Sequence, residues 1–303
     1  MRRLNPMIAL HEKGLPVFGI THPAIVVGGR GRATAPDGNL TPAPAPPLPS
    51  LMDAARETVA YKFSDFAYDN YSSANGERFL GYMAAMLAAG GSMSSHAFIS
   101  KIPIVHTDPA AATARIVEQL NAGHAGIIMQ EVESADEVRT ALAAMRFKSK
   151  GGTRHDEGVG LAAAYWGLSE TQYRKKADPW PLNKNGELVL WAIVESQKGI
   201  ANVCEIAAVP GVTVVTVGAG TLGGVFSSAG ADGQRLRDHA GFDAGVASIL
   251  SACKEFKVAC SYPANNAAEI EQLMAQGFSV FTMQARNSAG FDAIAAGRRL
   301  SGR

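Results

Sequence analysis

The residues best suited to chemistry lie between Leu188 and Leu222, in the stretch LVLWAIVESQKGIANVCEIAAVPGVTVVTVGAGTL. One apolar run, Leu188–Val194, ends in Glu195; a second, Val212–Val217, ends in Gly218-Ala219-Gly220-Thr221. A carboxylate at the end of an apolar strand is partly desolvated and needs a cation, a hydrogen-bond donor or a raised pKa. Glycines in the following turn let a ligand come close to backbone amides. Together they could hold a metal or a small anion. Other groups end apolar runs in the same way: His106 after Ile102-Pro103-Ile104-Val105, Glu131 after AGIIMQ, and Asp69 beside Asn70 and Tyr71. Carboxylates and imidazoles converging on one mouth are the donors of a divalent-metal site. Arg154, in the glycine-rich loop Gly151–Gly160, has the fork geometry to clamp a carboxylate, and a surface position suits it equally.

These groups need elements to position them. Strands are expected at Val17–Thr21, Phe63–Asp69, Ile102–His106, Ala125–Gln130, Leu188–Val194, Val212–Val217, Val258–Ser261 and Phe278–Met283. Helical spacing follows most of them, as in Glu77–Ala89, Ala110–Asn121 after Asp108-Pro109, Ile200–Val209 and Phe242–Phe256. Ser134 with Glu137 three residues on reads as a capping box. Eight strands alternating with helices are the pattern of a (β/α)8 TIM barrel in a single domain spanning residues 1–303, with parallel strands because crossovers are right-handed. Two stretches break the rhythm. Gly28–Ser50 is a Pro/Gly-rich N-terminal arm or loop, where proline removes donors and fixes φ. Residues 147–187 form an insertion before the fifth strand, in which Trp166, Tyr173 and Trp180 are expected to pack. Chemistry in such barrels sits at the C-terminal strand ends, which turns the strand assignments into site candidates.

Composition narrows the partners. A net charge of +1 offers no electrostatic case for nucleic acid or an anionic membrane. No apolar stretch approaches the roughly 18 residues of a membrane span, and the N-terminus lacks a signal-like apolar core, so the cytoplasm is the expected compartment. Cys204, Cys253 and Cys260 form no CxxC pattern and are expected as buried, inert thiols.

The run from Glu195 through Ile206 and Gly211 to the glycine turn, with Val132-Glu133-Ser134-Ala135-Asp136-Glu137 and the loop Gly151–Gly160, resembles the HpcH/HpaI aldolase/citrate lyase family, class II enzymes of the pyruvate-aldolase type. The resemblance runs from about Phe63 to Gly297 and leaves the proline-rich segment outside. It implies a carbon–carbon lyase acting on a small 2-oxo acid and assembled as a homo-oligomer. A divalent metal such as Mg or Mn would bind the substrate carboxylate and keto oxygen and stabilise the enolate. The family holds that metal with a glutamate after strand five and an aspartate after strand six. It adds an arginine at the third strand end and a histidine near the second.

On that pattern Glu195 is the glutamate, while Thr221 stands at the aspartate position, His106 at the arginine and Tyr71 at the histidine. A neutral hydroxyl is a poor replacement for a carboxylate around a hard cation. The site candidates are therefore His106, Glu195 and Tyr71 for catalysis, and Gly218, Ala219, Gly220, Thr221 and Arg154 for the substrate. Glu195 and Glu131 are the candidates for the metal. Two other readings stay open: a non-catalytic small-molecule binding protein on an aldolase barrel, and a metal-independent hydrolase or lyase using His106 and Tyr71 for proton transfer.

Overall fold

Short apolar runs, most of them buried on both faces, make the wall of the molecule. The computed structural model describes residues 3–21, 48–69, 76–230, 234–283 and 288–303. Its strands are β1 (Val17–Thr21), β2 (Phe66–Asp69), β3 (Phe98–Lys101), β4 (Gly126–Met129), β5 (Val189–Val194), β6 (Val214–Val217), β7 (Ser227–Ala229), β8 (Arg235–Arg237), β9 (Ala259–Ala264) and β10 (Val280–Met283). Eight close into a barrel in the order β1-β10-β9-β6-β5-β4-β3-β2, every pair parallel. This is the (β/α)8 TIM barrel expected from the alternation of runs. Strands β7 and β8 form an antiparallel hairpin in the β6-to-β9 connection, an addition that their polar sequence does not announce.

Register decides which side chains face the barrel axis. Tyr68 pairs with Ile99, Lys101 with Ile128, Ile128 with Trp191, Ile193 with Thr216, and Thr216 with Ser261. With a period of two, these positions share one face. Towards the middle of the barrel the rings of Phe66 and Trp191 meet edge to face at 5.0 Å. The Phe66 ring lies against Gly19, where a Cβ would collide with it. Large side chains thus plug the middle of the barrel.

The third strand differs from expectation. It is Phe98–Lys101, and Ile102–His106 is the loop beyond it. Ile102 still donates to the Ile128 carbonyl (3.1 Å), but Pro103 has no N–H to continue the ladder. The strand ends at Lys101, just before the expected Ile102–His106, which it does not overlap.

The second strand begins at Phe66, with Phe63 exposed, and the ninth runs on to Ala264. The single helix expected at Ile200–Val209 is two short ones, Gln197–Ala201 and Val203–Ala207. Asn202 sits between them, and its side-chain amide donates to the Glu133 carbonyl at 2.8 Å. Asp108 and Ser134 cap their helices as expected, accepting from Ala111 N–H and Glu137 N–H.

The insertion packs against the N-terminal end of the barrel. Tyr165 donates to the His96 carbonyl, Trp166 to Gly123 and Tyr173 to Leu120, all residues that precede strands. Glu187, fully buried, accepts from the backbone N–H groups of Leu4 and Asn5 and pairs with Lys176. Cys253 and Cys260 are joined in a disulfide (Cα–Cα 5.6 Å), which corrects the expectation of free thiols, and Cys204 is exposed. Among the described residues no helix is long and apolar enough to cross a membrane. The segment from His22 to Pro47, most of the expected arm, lies outside the described residues.

Candidate active site at the barrel mouth

A cavity of about 320 Å³ opens at the C-terminal strand ends. Its wall contains Glu195, Lys101, Trp191, Thr216, Tyr68 and the turn Gly218–Thr221. Tyr68, Lys101, Ile128, Trp191, Ile193 and Thr216 in that wall belong to the inward-facing set that the register defines.

Glu195 follows β5, whose six residues are all buried, and is itself 8% exposed. Two backbone features hold its carboxylate. The Glu131 N–H donates to Glu195 Oε1 at 3.1 Å. Glu131 adopts a left-handed backbone (φ 48°), a conformation that costs a non-glycine residue and persists where surrounding contacts enforce it. On the other side stands Gly218. A Cβ there would overlap the Glu195 Cβ and lie 2.7 Å from Oε2. Gly218 is therefore required by the carboxylate. The expected glycine turn is in fact the start of a short helix, Ala219–Val225, which begins at Gly218; Gly220 and Thr221 are exposed on the rim.

No motif in the local sequence around Lys101 marks it as a site residue. It occupies the third strand end and lines the cavity together with Glu195. The cation that the family resemblance implies at the third strand end is thus present as lysine, and His106 does not take that position. The signal in the sequence was Pro103, which ends the strand at the lysine, together with the alternation Ile99/Lys101 against Phe98/Ser100.

The cavity also contains hydrogen-bonding capacity that the fold leaves unused. Trp191 Nε1 and Thr216 Oγ1 are buried without a protein partner among the described residues, and both side chains belong to the cavity wall. Buried polar groups are seldom left in this way unless water or a ligand serves them. A second cavity, of about 570 Å³, adjoins the first through Ala219, Gly220 and Pro263 and carries Arg237, Asp243 and Tyr262 on its far wall.

Other candidates lie elsewhere. His106 Nδ1 is 3.1 Å from Glu137 Oε2, and the histidine is not part of the cavity wall. The other Glu137 oxygen accepts from Glu133 N–H and Ser134 Oγ, so His106 completes a helix-capping network. Arg154 is buried at the opposite end of the barrel, in contrast to the substrate clamp expected there. Its guanidinium donates to Asn121 Oδ1 (2.6 Å) and Tyr173 Oη (2.9 Å) and stacks over the Phe147 ring at 4.4 Å. Arg154 binds the insertion to the barrel base because that insertion precedes a strand, and the N-terminal strand end faces away from the mouth. Glu131 reaches Glu195 through its backbone. Gln130 donates to the Ile102 carbonyl (2.7 Å) and ties the ends of β3 and β4 together. Tyr71, with His22, Asn70, Gln284 and Arg286, lies outside the described residues.

A divalent cation fits these donors poorly. Glu195 is the one carboxylate in the described cavity wall, Thr221 supplies a neutral oxygen, and Gly218 supplies none. Among the described residues no three His, Cys, Asp or Glu side chains gather closely enough to hold a metal. Hard divalent cations take several oxygen ligands, usually with carboxylates among them.

Residues 95–290, more than half of the chain, match the HpcH/HpaI aldolase/citrate lyase family. A curated relative, the hydroxypyruvate/pyruvate aldolase of Paraburkholderia phytofirmans (strain DSM 17436 / LMG 22146 / PsJN), is 28% identical over 185 residues. That alignment covers 60% of this chain and 66% of the relative's length. An HpcH/HpaI aldolase/citrate lyase family protein from Burkholderia cenocepacia J2315 superposes with a TM-score of 0.68 at 20% identity, over 98% of both chains. Macrophomate synthase superposes with a TM-score of 0.65 at 18% identity, over 99% of this chain and 88% of its own. These structural likenesses share the barrel fold found here. On the extent of the sequence match, this chain belongs to the HpcH/HpaI aldolase/citrate lyase family.

Proposed function

We propose that the protein is a carbon–carbon lyase acting on a small 2-oxo acid at the barrel mouth, with Glu195 as its proton carrier. The observation that carries this reading is the pairing of Glu195 with Lys101 in one small cavity, the carboxylate held by Glu131 N–H and by the space at Gly218. A cavity of this size suits a small ligand. Lys101 supplies the positive charge that a substrate carboxylate or a developing enolate needs. Trp191 Nε1 and Thr216 Oγ1 are donors for the remaining substrate oxygens. Glu195, fixed by a backbone donor, receives the proton of a C4 hydroxyl as the C3–C4 bond breaks and returns a proton to C3. The family's aldolase and lyase activities and the curated relative's name support the reaction class. Thr221 and the rim glycines contact the substrate from above in the same reading, and a homo-oligomer is part of it, which a monomeric mass by light scattering would contradict.

The test is release of pyruvate or glyoxylate-type products from a panel of 2-oxo-4-hydroxy acids, run beside Glu195→Gln. Turnover is expected from the native chain, with a fall of roughly a hundredfold or more in the variant. Ligand binding without turnover of any panel member would favour a non-catalytic binding protein on the same barrel.

A further inference from the structure

The geometry points to Lys101 as a Schiff-base nucleophile, making this chain an imine-forming enzyme on a barrel whose relatives are expected to use a metal. The inference rests on the 2-oxo acid reading of the same cavity and adds the source of the electrophile. Cleaving or forming a bond beside a ketone requires something to accept the electron pair that leaves C3. The donors in the described wall make a poor metal site, with Thr221 where the family has an aspartate and Glu195 as the single carboxylate. An iminium ion does the same work. It is a cationic electron sink bonded directly to the carbon concerned, and a primary amine in a partly apolar pocket can form it.

Lys101 meets the positional requirements. It is the last residue of β3, on the inward face, opposite Ile128 in register and in the same wall as Trp191 and Ile193. Among the described residues of that wall it is the one with an amine. The end of β3 thus puts Lys101 in the wall of the mouth cavity, beside the space a small oxo acid would occupy. Ile128, Trp191 and Ile193 are its apolar neighbours in that wall, and apolar surroundings favour the condensed imine over its hydrolysed form. Glu195, in the same cavity, is available for proton transfer.

The chemistry balances without an external oxidant or reductant. Lys101 gives up a proton to Glu195 or solvent, and the amine so formed attacks C2 of the oxo acid, forming a C–N bond as the carbonyl oxygen takes a proton. The carbinolamine then loses water, with a proton taken up from Glu195 or solvent, to leave the protonated imine. The C3–C4 bond breaks with its electron pair moving to form C2=C3 while the iminium nitrogen accepts the displaced pair. Glu195 takes the C4 hydroxyl proton as the aldehyde departs. The enamine is reprotonated at C3, and water adds at C2 to release pyruvate or its homologue and regenerate the amine.

The test is reductive trapping of the full chain. The protein is incubated with pyruvate and sodium borohydride in the presence of EDTA, then digested and examined by peptide mass spectrometry. The expected result is a reduced pyruvyl adduct on the peptide containing Lys101, with turnover lost in step with labelling and unchanged by borohydride alone. Lys101→Arg, which keeps the charge and removes the nucleophile, is expected to take no adduct and to lose roughly a hundredfold or more in turnover. Trapping on the native chain stands even where that variant fails to fold. Metal-stimulated turnover with no adduct at Lys101 overturns the Schiff base and leaves the lyase reading intact. An adduct without cleavage of any 2-oxo-4-hydroxy acid supports the imine and overturns the lyase reading. No adduct and no turnover overturns both.

Discussion

Gly218 shows how closely the site is built at the level of single atoms. Its missing Cβ is the space occupied by the Glu195 carboxylate, so Gly218→Ala must displace either the strand end or the carboxylate. We expect Gly218→Ala to lower kcat/KM by about tenfold or more, equivalent to about 1.4 kcal/mol at the transition state. The far-ultraviolet circular dichroism should be unchanged, because the glycine has φ outside the left-handed region and makes no demand beyond space. An alanine variant with unaltered kcat/KM would mean that the carboxylate position has no bearing on turnover. Glu195 was legible in the sequence because its signal is local: seven apolar residues followed by one acid. Lys101 was not, because its role depends on a strand end that Pro103 displaces and on a register visible only once β3 has paired with β4.

At the scale of the element, the insertion illustrates how sequence position and spatial position separate. Residues 147–187 precede β5 and therefore build on the N-terminal end of the barrel, although their glycines and their arginine suggested a ligand loop. Arg154→Ala would leave Asn121 Oδ1 and Tyr173 without their guanidinium partner inside a buried layer and would remove the ring contact with Phe147. We expect a loss of about 2–4 kcal/mol in unfolding free energy, measured by denaturant midpoint, with turnover per folded molecule retained. A large loss of kcat with full stability would instead return Arg154 to the site. The same separation applies to His106, which the loop after β3 delivers to the cap of helix Ala135–Met145, beside the mouth but not in its wall.

For the molecule as a whole, buried histidines couple stability to pH. His124 is completely enclosed beside the Phe98 ring (4.9 Å), and neither ring nitrogen has a well-formed hydrogen bond among the described residues. Burial lowers its pKa to about 3. The unfolded chain binds a proton near the ordinary imidazole value of about 6.5, whereas the folded chain does not until far lower pH. The neutral ring's contribution is therefore complete above pH ~6.5 and is lost as pH falls from there towards ~3, at up to about 1.4 kcal/mol per pH unit. His11, stacked on Trp180 and lowered to about 4 by burial, acts in the same direction. We expect the unfolding midpoint to fall between pH 7 and pH 5, and His124→Leu to flatten that slope. An unchanged slope in the variant would assign the acid sensitivity to other groups.

The sequence by itself determined the eight-strand barrel alternation, the family and the place of Glu195 at the end of β5. All of these follow from apolar periodicity and from residues close together along the chain. Tertiary structure alone decided that Lys101 and Glu195 share a cavity, that Glu131 acts through its backbone, and that Arg154 lies at the other end. Those outcomes depend on strand register, on which barrel end a loop occupies, and on where a ladder stops. A shift of one residue exchanges the inside of a barrel for the outside.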